Sequence, residues 1–592
     1  MSTPLQSLRA AMARREIDAC LIPTADYHNS EYVGEHFACR AWLSGFTGSA
    51  GTLLVFPGWA GLWTDGRYFL QAERQLAGSG IRLMKMGEPG VPTLQEFLRS
   101  SLQPGQTLCF DSRCVTAETG RKYYALARRK GVKILDREDL MEEIWLDRPS
   151  LARGPVWALP LEYAGESRRE KLARVRSAMA KEGADVHLLT ALEDIAWLLD
   201  LRGSDAACTP VFLSYLALEK TEGTLFACPA AFSPQLREEL EGDGIRLQPY
   251  DGVYTWVNRL KREQTVLLDP ARVNARLLTG IPTGVKVLER PDPTLAMKAV
   301  KNPVEQENFR KAHLDDGVAL TRFMYWVKTN AGKVPMTERS AAEKLEDLRR
   351  ASPDYLRPSF DPIRAYGDHS AVVHYSATEE TDAAVTDEGF LLADTGGHYR
   401  TGTTDCTRTY ALGPVTQAQK THYTAVLRGN LDLAAARFKQ GCTGLNLDIL
   451  ARQPLWELGL DYNHGTGHGV GYLLSVHEGP QSIRWRSLGE DAALEPGMVT
   501  SDEPGVYFAG AYGIRLENLM LCRESEATEQ GTFLSFETLT LTPFDLDAVD
   551  PAQMSRREIE LLNAYHARVC AAIAPRLPAE EADWLRQVTR PV

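Results

Sequence analysis

Hydrophobic positions recur along this chain with two alternating periods, one near 3.6 residues and one near two, which predict helices and strands in succession. Two stretches share the order of a short helix running into an apolar strand: RAAMARREIDACLIP, from Arg9, and RSAMAKEGADVHLLT, from Arg176. They lie 167 residues apart, whereas a solenoid repeats roughly every 20 to 50 residues. We therefore predict a duplicated α/β unit in the first half of the chain.

Proline-rich segments follow both units, at 147–163 and 288–303, and such segments commonly mark domain boundaries. We therefore predict three domains, at residues 1–155, 156–303 and 304–592. The predicted fold class is α/β, or α+β with a central mixed sheet in the last domain.

The third domain opens with an amphipathic pattern that has Pro303 at its start, and a second helical pattern follows at 337–351. A further helical pair is predicted at about 417–440 and 446–458. Each of these two ends at a glycine, a residue that adopts the left-handed conformation of a helix C-terminus.

Residues 388–412, EGFLLADTGGHYRTGTTDCTRTYAL, are first apolar, then turn-like, then alternating, which predicts a hairpin of two strands. Asp394 and Asp405 lie eleven residues apart in this hairpin. A turn centred near Tyr399 and Arg400 would set the two carboxylates opposite each other across the ladder.

Composition narrows the function classes. A chain of 592 residues exceeds what one core usually supports, and its net charge of −12, with both signs interspersed, gives no basic surface for nucleic acid. No apolar run reaches the length of a membrane span or a signal peptide, so we expect a cytoplasmic protein without membrane segments. Ten cysteines without a C-x-x-C pair indicate reduced thiols, so a metal site would draw on His, Asp and Glu.

The segment YNHGTGHGVG, residues 462–471, places His464 and His468 four apart. Two histidines at that spacing on a helix are typical of a zincin, with a glutamate between them. No glutamate lies between these two, and each of the four glycines disfavours a helix by about 1 kcal/mol relative to alanine. The segment is therefore predicted to be extended or looped, either as a turn with two structural histidines or as a close approach to a ligand.

Two further acids lie in strand-like sequence, Glu503 in TSDEPGVY and Glu517 in GIRLENLML. Taken singly, each of the four acids reads as a solvent-facing residue. Gathered together without a cation, they would repel by about 4 kcal/mol per pair at ~4 Å and an effective dielectric near 20. Two divalent ions would balance four carboxylates, and oxygen-rich ligation with one imidazole suits manganese, cobalt or zinc.

The motifs LLADTGGHYRTGTTDCTRT, HGTGHGVG, VHEGP, TSDEPGVY and GIRLEN resemble, in this order, those of the pita-bread metallopeptidases, most closely the three-domain Xaa-Pro aminopeptidases. SGFTGSAGTLLV, WTDGRYFLQA and TALEDIAWLLDLRGSD extend the resemblance to the whole chain. It implies two creatinase-like N-terminal α/β domains, a pita-bread catalytic domain, and a homodimer formed through the C-terminal domain.

The resemblance also implies a role for each of eleven residues. Asp394 would bind one metal ion, His468 and Glu503 the other, and Asp405 and Glu517 would bridge the pair. The substrate-side groups implied are Arg67 from the first domain and three histidines, His374, His464 and His477. These three histidines and Glu503 form the implied catalytic set, and Tyr507 and Arg515 would support the ligands through hydrogen bonds.

The implied activity is hydrolysis of the bond between an N-terminal residue and a penultimate proline, by a hydroxide bridging two divalent ions, most often Mn²⁺. Prolidase shares the five ligands and is the nearest alternative, whereas creatinase lacks the metal set and methionine aminopeptidase lacks the N-terminal domains. Non-catalytic pita-bread modules that bind peptides or histones usually lose metal ligands. All five ligand positions are retained here, which favours the enzyme.

Four positions depart from the family pattern. Cys406 replaces an aliphatic residue, and strand alternation predicts that it packs away from the metal side. The family more often has asparagine and small residues where this chain has Asp368, His369 and Ser370. We expect these three substitutions to change the shape of the nearby substrate pocket.

Overall fold

The computed structural model describes residues 3–487, 489 and 491–592. The chain divides into two compact units, one running up to Pro160 and over Glu166–Leu295, the other formed by Leu161–Gly165 and Ala296–Val592. The predicted α/β character is confirmed in both units. The domain boundaries after residues 155 and 303 stay predictions.

The first 300 residues alternate helices and strands as the sequence pattern predicts. The helices are α1 (Pro4–Arg14), α2 (Cys39–Ser44), α3 (Phe69–Gln75), α4 (Leu94–Ser101), α5 (Ala117–Lys130), α6 (Met141–Ile144), α7 (Leu161–Ala164), α8 (Arg168–Glu182), α9 (Leu192–Leu198), α10 (Pro234–Gly242), α11 (Gly252–Val257), α12 (Ala275–Gly280) and α13 (Pro293–Ala299). The strands are β1 (Ala19–Pro23), β2 (Thr52–Val55), β3 (Ala60–Thr64), β4 (Arg82–Lys85), β5 (Thr107–Cys109), β6 (Lys133–Leu135), β7 (Trp157–Ala158), β8 (Val186–Leu189), β9 (Leu201–Arg202), β10 (Ser214–Glu219), β11 (Gly223–Ala227), β12 (Ile245–Pro249), β13 (Thr265–Leu268) and β14 (Lys286–Glu289).

The first unit contains two six-stranded mixed sheets with the same pattern of pairing. Their orders are β4-β3-β2-β1-β5-β6 and β12-β11-β10-β8-β13-β14. In each sheet the central strand, β1 or β8, pairs antiparallel with one neighbour and parallel with the other. These two strands begin at Ala19 and Val186, which is the 167-residue separation seen in the sequence, so the predicted duplication is confirmed.

The second unit is built from two helix pairs, two C-terminal helices and several short sheets. Its helices beyond α13 are α14 (Pro303–Asn330), α15 (Glu338–Arg349), α16 (Gln417–Ala434), α17 (Gly444–Trp456), α18 (Arg556–Ile573) and α19 (Ala579–Val588). Its strands are β15 (Tyr355–Pro358), β16 (Ile363–Tyr366), β17 (Phe390–Thr395), β18 (Gly397–Tyr399), β19 (Gly402–Thr403), β20 (Cys406–Ala411), β21 (Arg437–Lys439), β22 (Gly467–His468), β23 (Ser482–Ile483), β24 (Val499–Asp502), β25 (Gly505–Phe508), β26 (Tyr512–Arg515), β27 (Asn518–Thr528) and β28 (Gly531–Thr538).

Two sheets of this unit position the acidic residues predicted from the sequence: Asp394 lies in β17, and the other three acids lie next to an end of β20, β24 or β27. One has the order β16-β17-β20, and the other has the order β21-β28-β27-β24. A buried apolar cluster that includes Tyr423, Leu455, Ile514 and Leu562 packs the helices against this region. Because α14 is capped by Asn302 and begins with proline, as the pattern predicts, its start is defined locally by sequence.

Two local predictions were wrong. The first helix of the pair ends at Ala434, and Arg437–Lys439 instead forms β21, which pairs with β28. The hairpin is also shifted by two residues, because its turn is centred on Arg400 and Thr401. Asp394 therefore lies opposite Thr407 rather than Asp405. Asp405 stays on the same face, since it is two residues from Thr407, and this diagonal position still permits contact.

All ten cysteines are free thiols, as the sequence indicates. Among the described residues, no helix combines the length and the apolar character needed to cross a membrane.

Candidate metal centre

The five side chains predicted as metal ligands meet in the second unit. Their ligand atoms fall into overlapping groups within 4.8 Å: His468 with Glu503 and Glu517, and Asp394 with Asp405 and Glu517. A third group of the same size joins Asp405 and His468 to a further residue, His477. The loops and sheets thus bring four carboxylates and two imidazoles together from segments up to 123 residues apart in sequence.

Asp394, on β17, is held by an arginine. Its Oδ2 accepts a hydrogen bond from Arg515 Nη2 at 2.7 Å, and Arg515 Nη1 donates to the hydroxyl of Tyr507 at 2.7 Å. Burial raises the pKa of Asp394, while Arg515 opposes that rise. Arg515 is itself buried, so it orients this carboxylate and cannot turn away to solvent.

Three of the acids each present one oxygen without a protein partner. Asp394 Oδ1, Asp405 Oδ1 and Glu517 Oε1 are all buried and accept no hydrogen bond from the described residues. The other oxygen of Glu517 accepts from Thr407 Oγ1 at 2.8 Å. Buried carboxylate oxygens are normally satisfied, so three that converge without partners indicate a place for cations.

His468 is oriented by the main chain. Its Nδ1 donates to the carbonyl oxygen of Gly469 at 3.0 Å, which leaves Nε2 as the ligand atom. Nε2 lies 3.5 Å from Asp405 Oδ2 and 3.5 Å from Glu503 Oε1. Ser501 adds to the arrangement, since its hydroxyl accepts from the amide of His468 and donates to Glu503 Oε1 at 3.2 Å.

The electrostatics of the metal-free cluster are those of crowded acids. Burial raises the pKa of Glu503 to about 7, with His468 and Arg515 opposing the rise. Burial and the neighbouring Asp405 raise the pKa of Glu517 well above its usual range. Burial acts to lower the pKa of His468, but Asp405 and Glu503 outweigh it and raise that pKa to about 9. Protons therefore occupy this cluster where cations would replace them.

The donor set fits two divalent ions. Four carboxylates neutralise four positive charges, and the unpartnered oxygens lie among ligand atoms within 4.8 Å of one another. Nε2 of His468 is held in place because Nδ1 of the same ring donates to the carbonyl oxygen of Gly469. No thiolate takes part, because Cys406 is buried in an apolar cluster with Leu391 and Tyr410, as strand alternation predicts.

The predicted substrate-side histidines occupy different places. The ring of His477 lies edge-on to that of His468, with centroids 4.4 Å apart, so it lies at the centre itself. His464 is bonded at both nitrogens, Nδ1 to the carbonyl of Gly465 at 2.7 Å and Nε2 to the hydroxyl of Tyr507 at 2.9 Å. Burial lowers its pKa to about 3, so it is neutral. His374 is half-buried, next to a carbonyl that accepts from Arg515.

Arg67 belongs to the first unit. Its guanidinium makes a bidentate pair with Asp65, with Nε to Oδ1 at 2.8 Å and Nη2 to Oδ2 at 2.9 Å, and a third of its side chain is exposed. Its predicted contact with substrate stays a prediction.

Two of the three departures at residues 368–370 make structural contacts. His369 Nδ1 lies 2.9 Å from the buried carboxylate of Glu338, and the His369 ring stacks on Tyr375. Ser370 Oγ accepts from the amide of Gly513 at 2.7 Å.

Sequence reasoning missed several supporting residues. Thr407 and Ser501 were not singled out, although alternation along β20 places Asp405, Thr407 and Thr409 on one face. Arg408 was also missed. It is fully buried, and it donates to the carbonyl of Glu517 at 2.6 Å and to that of Thr542 at 2.7 Å.

Comparison with known proteins places this centre in a family. Residues 307–524 match the model of metallopeptidase family M24, 532–592 match the C-terminal region of that family, and 4–144 and 147–305 match creatinase/prolidase N-terminal domains. Aminopeptidase P1 of Arabidopsis thaliana is 35% identical over 646 residues, covering 100% of this chain and 99% of that protein. Xaa-Pro aminopeptidase 1 of Dictyostelium discoideum is 34% identical over 611 residues, covering 100% and 97%. The crystal structure of the X-prolyl aminopeptidase of Caenorhabditis elegans, a cytosolic enzyme with a di-nuclear active site, has a TM-score of 0.95 at 34% identity and covers 100% of both chains.

Proposed function

The chain belongs to metallopeptidase family M24 with creatinase-type N-terminal domains, and from this premise we infer that it is an Xaa-Pro aminopeptidase. It hydrolyses the bond between an N-terminal residue and a penultimate proline. The observation that carries this function is the convergence of Asp394, Asp405, His468, Glu503 and Glu517 in a chain that matches such enzymes over its whole length.

Five residues hold the metal ions in this proposal. Asp394 would hold one ion, His468 and Glu503 would hold the other, and Asp405 and Glu517 would be shared between the two. Asp405 and Glu517 each belong to two of the ligand groups, which supports this sharing. When bound, two divalent ions supply an attacking hydroxide and polarise the scissile carbonyl. We propose manganese as the native metal, because carboxylate-rich ligation with one imidazole suits it.

The protein's own groups handle the protons. Glu503 carries a proton to the leaving nitrogen, a role that its place among the ligand atoms supports. That nitrogen is part of a tertiary amide without an N–H group, so a peptidase that must hydrogen-bond the amide cannot act on it. His464, His374 and His477 bind the peptide and stabilise the developing oxyanion, and the resemblance of its motif assigns Arg67 to substrate binding.

A pair of peptides tests the substrate class. Arg-Pro-Pro and Arg-Pro are incubated with the metal-loaded protein, and the products are separated by chromatography. An Xaa-Pro aminopeptidase releases arginine from the tripeptide. Cleavage of the dipeptide alone would assign the chain to prolidase, and cleavage of neither peptide would contradict both activities. Elemental analysis of the same sample is expected to give two ions per chain, with manganese restoring the most activity after chelation.

We propose a homodimer formed through the second unit. Helix α17 and the segments after it expose large apolar side chains: Leu445, Ile449, Trp456, Leu458 and Trp485, each 36–45% exposed. Three of them, Leu445, Ile449 and Trp456, fall within roughly 40° of one another around the helix. Such a stripe supports contact with a second copy.

Light scattering tests the dimer. The native protein should have twice the 65.7 kDa of one chain, and Ile449→Asp should halve that mass. Val334→Asp, an exposed apolar position outside the stripe, should leave it unchanged, and a native mass of one chain would exclude the dimer.

A cytoplasmic location is supported by the cytosolic C. elegans enzyme, and cell fractionation checks it.

A further inference from the structure

Arg452 lies on α17 with its side chain completely buried. Its Nε donates to Asp448 Oδ2, one turn earlier on the same helix, at 2.7 Å. The other oxygen of Asp448 accepts from Thr466 Oγ1 at 2.5 Å. The guanidinium is thus anchored to its own helix by a carboxylate that is itself held by the loop beyond.

The remaining N–H groups of Arg452 reach the segment that ends at His464. Nη1 donates to Asp461 Oδ1 at 2.6 Å and to the carbonyl of Tyr462 at 2.7 Å, and Nη2 donates to the carbonyl of His464 at 2.9 Å. The guanidinium carbon lies 3.8 Å from the centroid of the Tyr462 ring. One side chain therefore holds the main chain at two places within three residues.

The imidazole of His464 receives none of these bonds. Its ring lies 4.7 Å from the Tyr462 ring, centroid to centroid, and its nitrogens bond to Gly465 and Tyr507. Arg452 can affect this ring through the position of the backbone and of Tyr462. A 1 Å misplacement of a catalytic group can cost about 100-fold in rate, so control of that backbone matters to the reaction.

We propose that Arg452 is a positioning residue for His464, fixing the segment from Asp461 to His464 so that the imidazole meets the substrate in one orientation. The proposal rests on the proposed function, since it assumes that His464 acts on the peptide. Arginine suits the position because its planar fork has donors pointing in opposite directions. A lysine ammonium at the same place cannot reach both Asp448 and the carbonyls of the loop.

A purely structural arginine would behave differently. If Arg452 were only structural, breaking its buried ion pair would lower the stability of the protein whichever residue stood at position 464. The factor by which an Arg452 substitution lowers the rate would then multiply with the factor for a His464 substitution. A residue that acts only through His464 has nothing left to position once that imidazole is gone. The two roles are therefore separated by a double-mutant cycle.

The cycle uses Arg452→Lys, His464→Ala and the double variant, with kcat and KM measured on Arg-Pro-Pro, metal content measured by elemental analysis, and the melting temperature recorded. We expect Arg452→Lys to lower kcat/KM at least ~10-fold with two ions retained, and to lower it less than ~2-fold in the His464→Ala background. Equal factors in both backgrounds, or loss of metal in Arg452→Lys, would overturn the proposal.

Two further variants complete the test. Asp461→Ala removes one acceptor of Arg452 at a half-exposed site, and it decides the same cycle if Arg452→Lys does not fold. Arg168→Lys is the matched control, a buried helical arginine of the first unit that donates to a carbonyl and a carboxylate, and it should leave kcat/KM unchanged. A native protein that does not cleave Arg-Pro-Pro refutes the proposed function, whereas cleavage with multiplicative effects refutes only the role of Arg452.

Discussion

Metal affinity should depend steeply on pH, because several ligands, His468 and Glu503 among them, have raised pKa values in the metal-free centre. His468 has a pKa raised to about 9 by Asp405 and Glu503 against the opposing effect of burial, and Glu503 has a pKa raised to about 7 by burial. Both groups must lose their protons before they can bind a cation. The perturbation is therefore a change of pH from 8 to 6 at constant ionic strength.

The magnitude follows from these two values. Across this range His468 stays protonated in the free site, so its contribution to affinity falls tenfold per pH unit, or about 100-fold in all. Glu503 is mostly ionised at pH 8 and about one-tenth ionised at pH 6, which adds roughly another tenfold. The product is on the order of 1000-fold, or about 4 kcal/mol at 1.36 kcal/mol per pKa unit.

Titration calorimetry with Mn²⁺ at three pH values, in two buffers of different ionisation enthalpy, gives both the affinity and the number of protons released. Release of more than one proton per site at pH 6 is expected. An affinity that changes less than tenfold between pH 8 and pH 6 would refute the reasoning. His464→Ala is the control, because burial holds the pKa of His464 near 3, so its removal should leave the slope unchanged.

Three other outcomes are expected. His464→Ala should keep both ions while kcat/KM falls by about 10²-fold or more, and metal loss measured by elemental analysis would show that this residue serves the ions. Gly467→Ala should lower both melting temperature and metal content, because the added carbon would meet the Ser501 carbonyl oxygen at 2.0 Å, whereas the matched Gly465→Ala meets nothing closer than 3.5 Å. The folded-state pKa of Glu503 is raised above its ordinary value, so its contribution to the stability of the metal-free protein is lost as pH rises from about 4.5 through 7, and chelated protein in urea titrations should unfold more readily at pH 8 than at pH 6.

The sequence pattern was most informative where structure depends on local signals. The duplication, the start of α14 at Pro303 and the left-handed Gly459 were readable because capping and periodicity act within a few residues. The hairpin register was not readable from the sequence. A turn centre that moves by one residue changes the pairing by two residues, and the glycines nearby are compatible with both positions of the turn. The end of α16 was also missed, because Arg437–Lys439 takes its strand conformation from pairing with β28.

The ligands of the candidate site followed from the resemblance of motifs, and their convergence agrees with it. Arg515 followed as well, but two other buried arginines, Arg408 and Arg452, did not. An aspartate and an arginine four apart, as in Asp448 and Arg452, usually form a solvated pair on a helix surface. Their position between apolar residues Leu447, Ala451 and Leu455 was the available signal that this pair is buried.

Arg408 also has a consequence for the order of events during synthesis. Its guanidinium donates to the carbonyl oxygens of Glu517 and Thr542 and to the hydroxyl of Tyr565. Thr542 and Tyr565 follow all five ligands in the sequence, so the ribosome makes part of the support of Glu517 after it has made the ligands themselves. A nascent chain that has reached Glu503 already exposes an incomplete set of acids but lacks Glu517 and its support. The arrangement in which Arg408 bonds to both Glu517 and Tyr565 therefore exists only after the C-terminal helix that carries Tyr565 has been made and has packed.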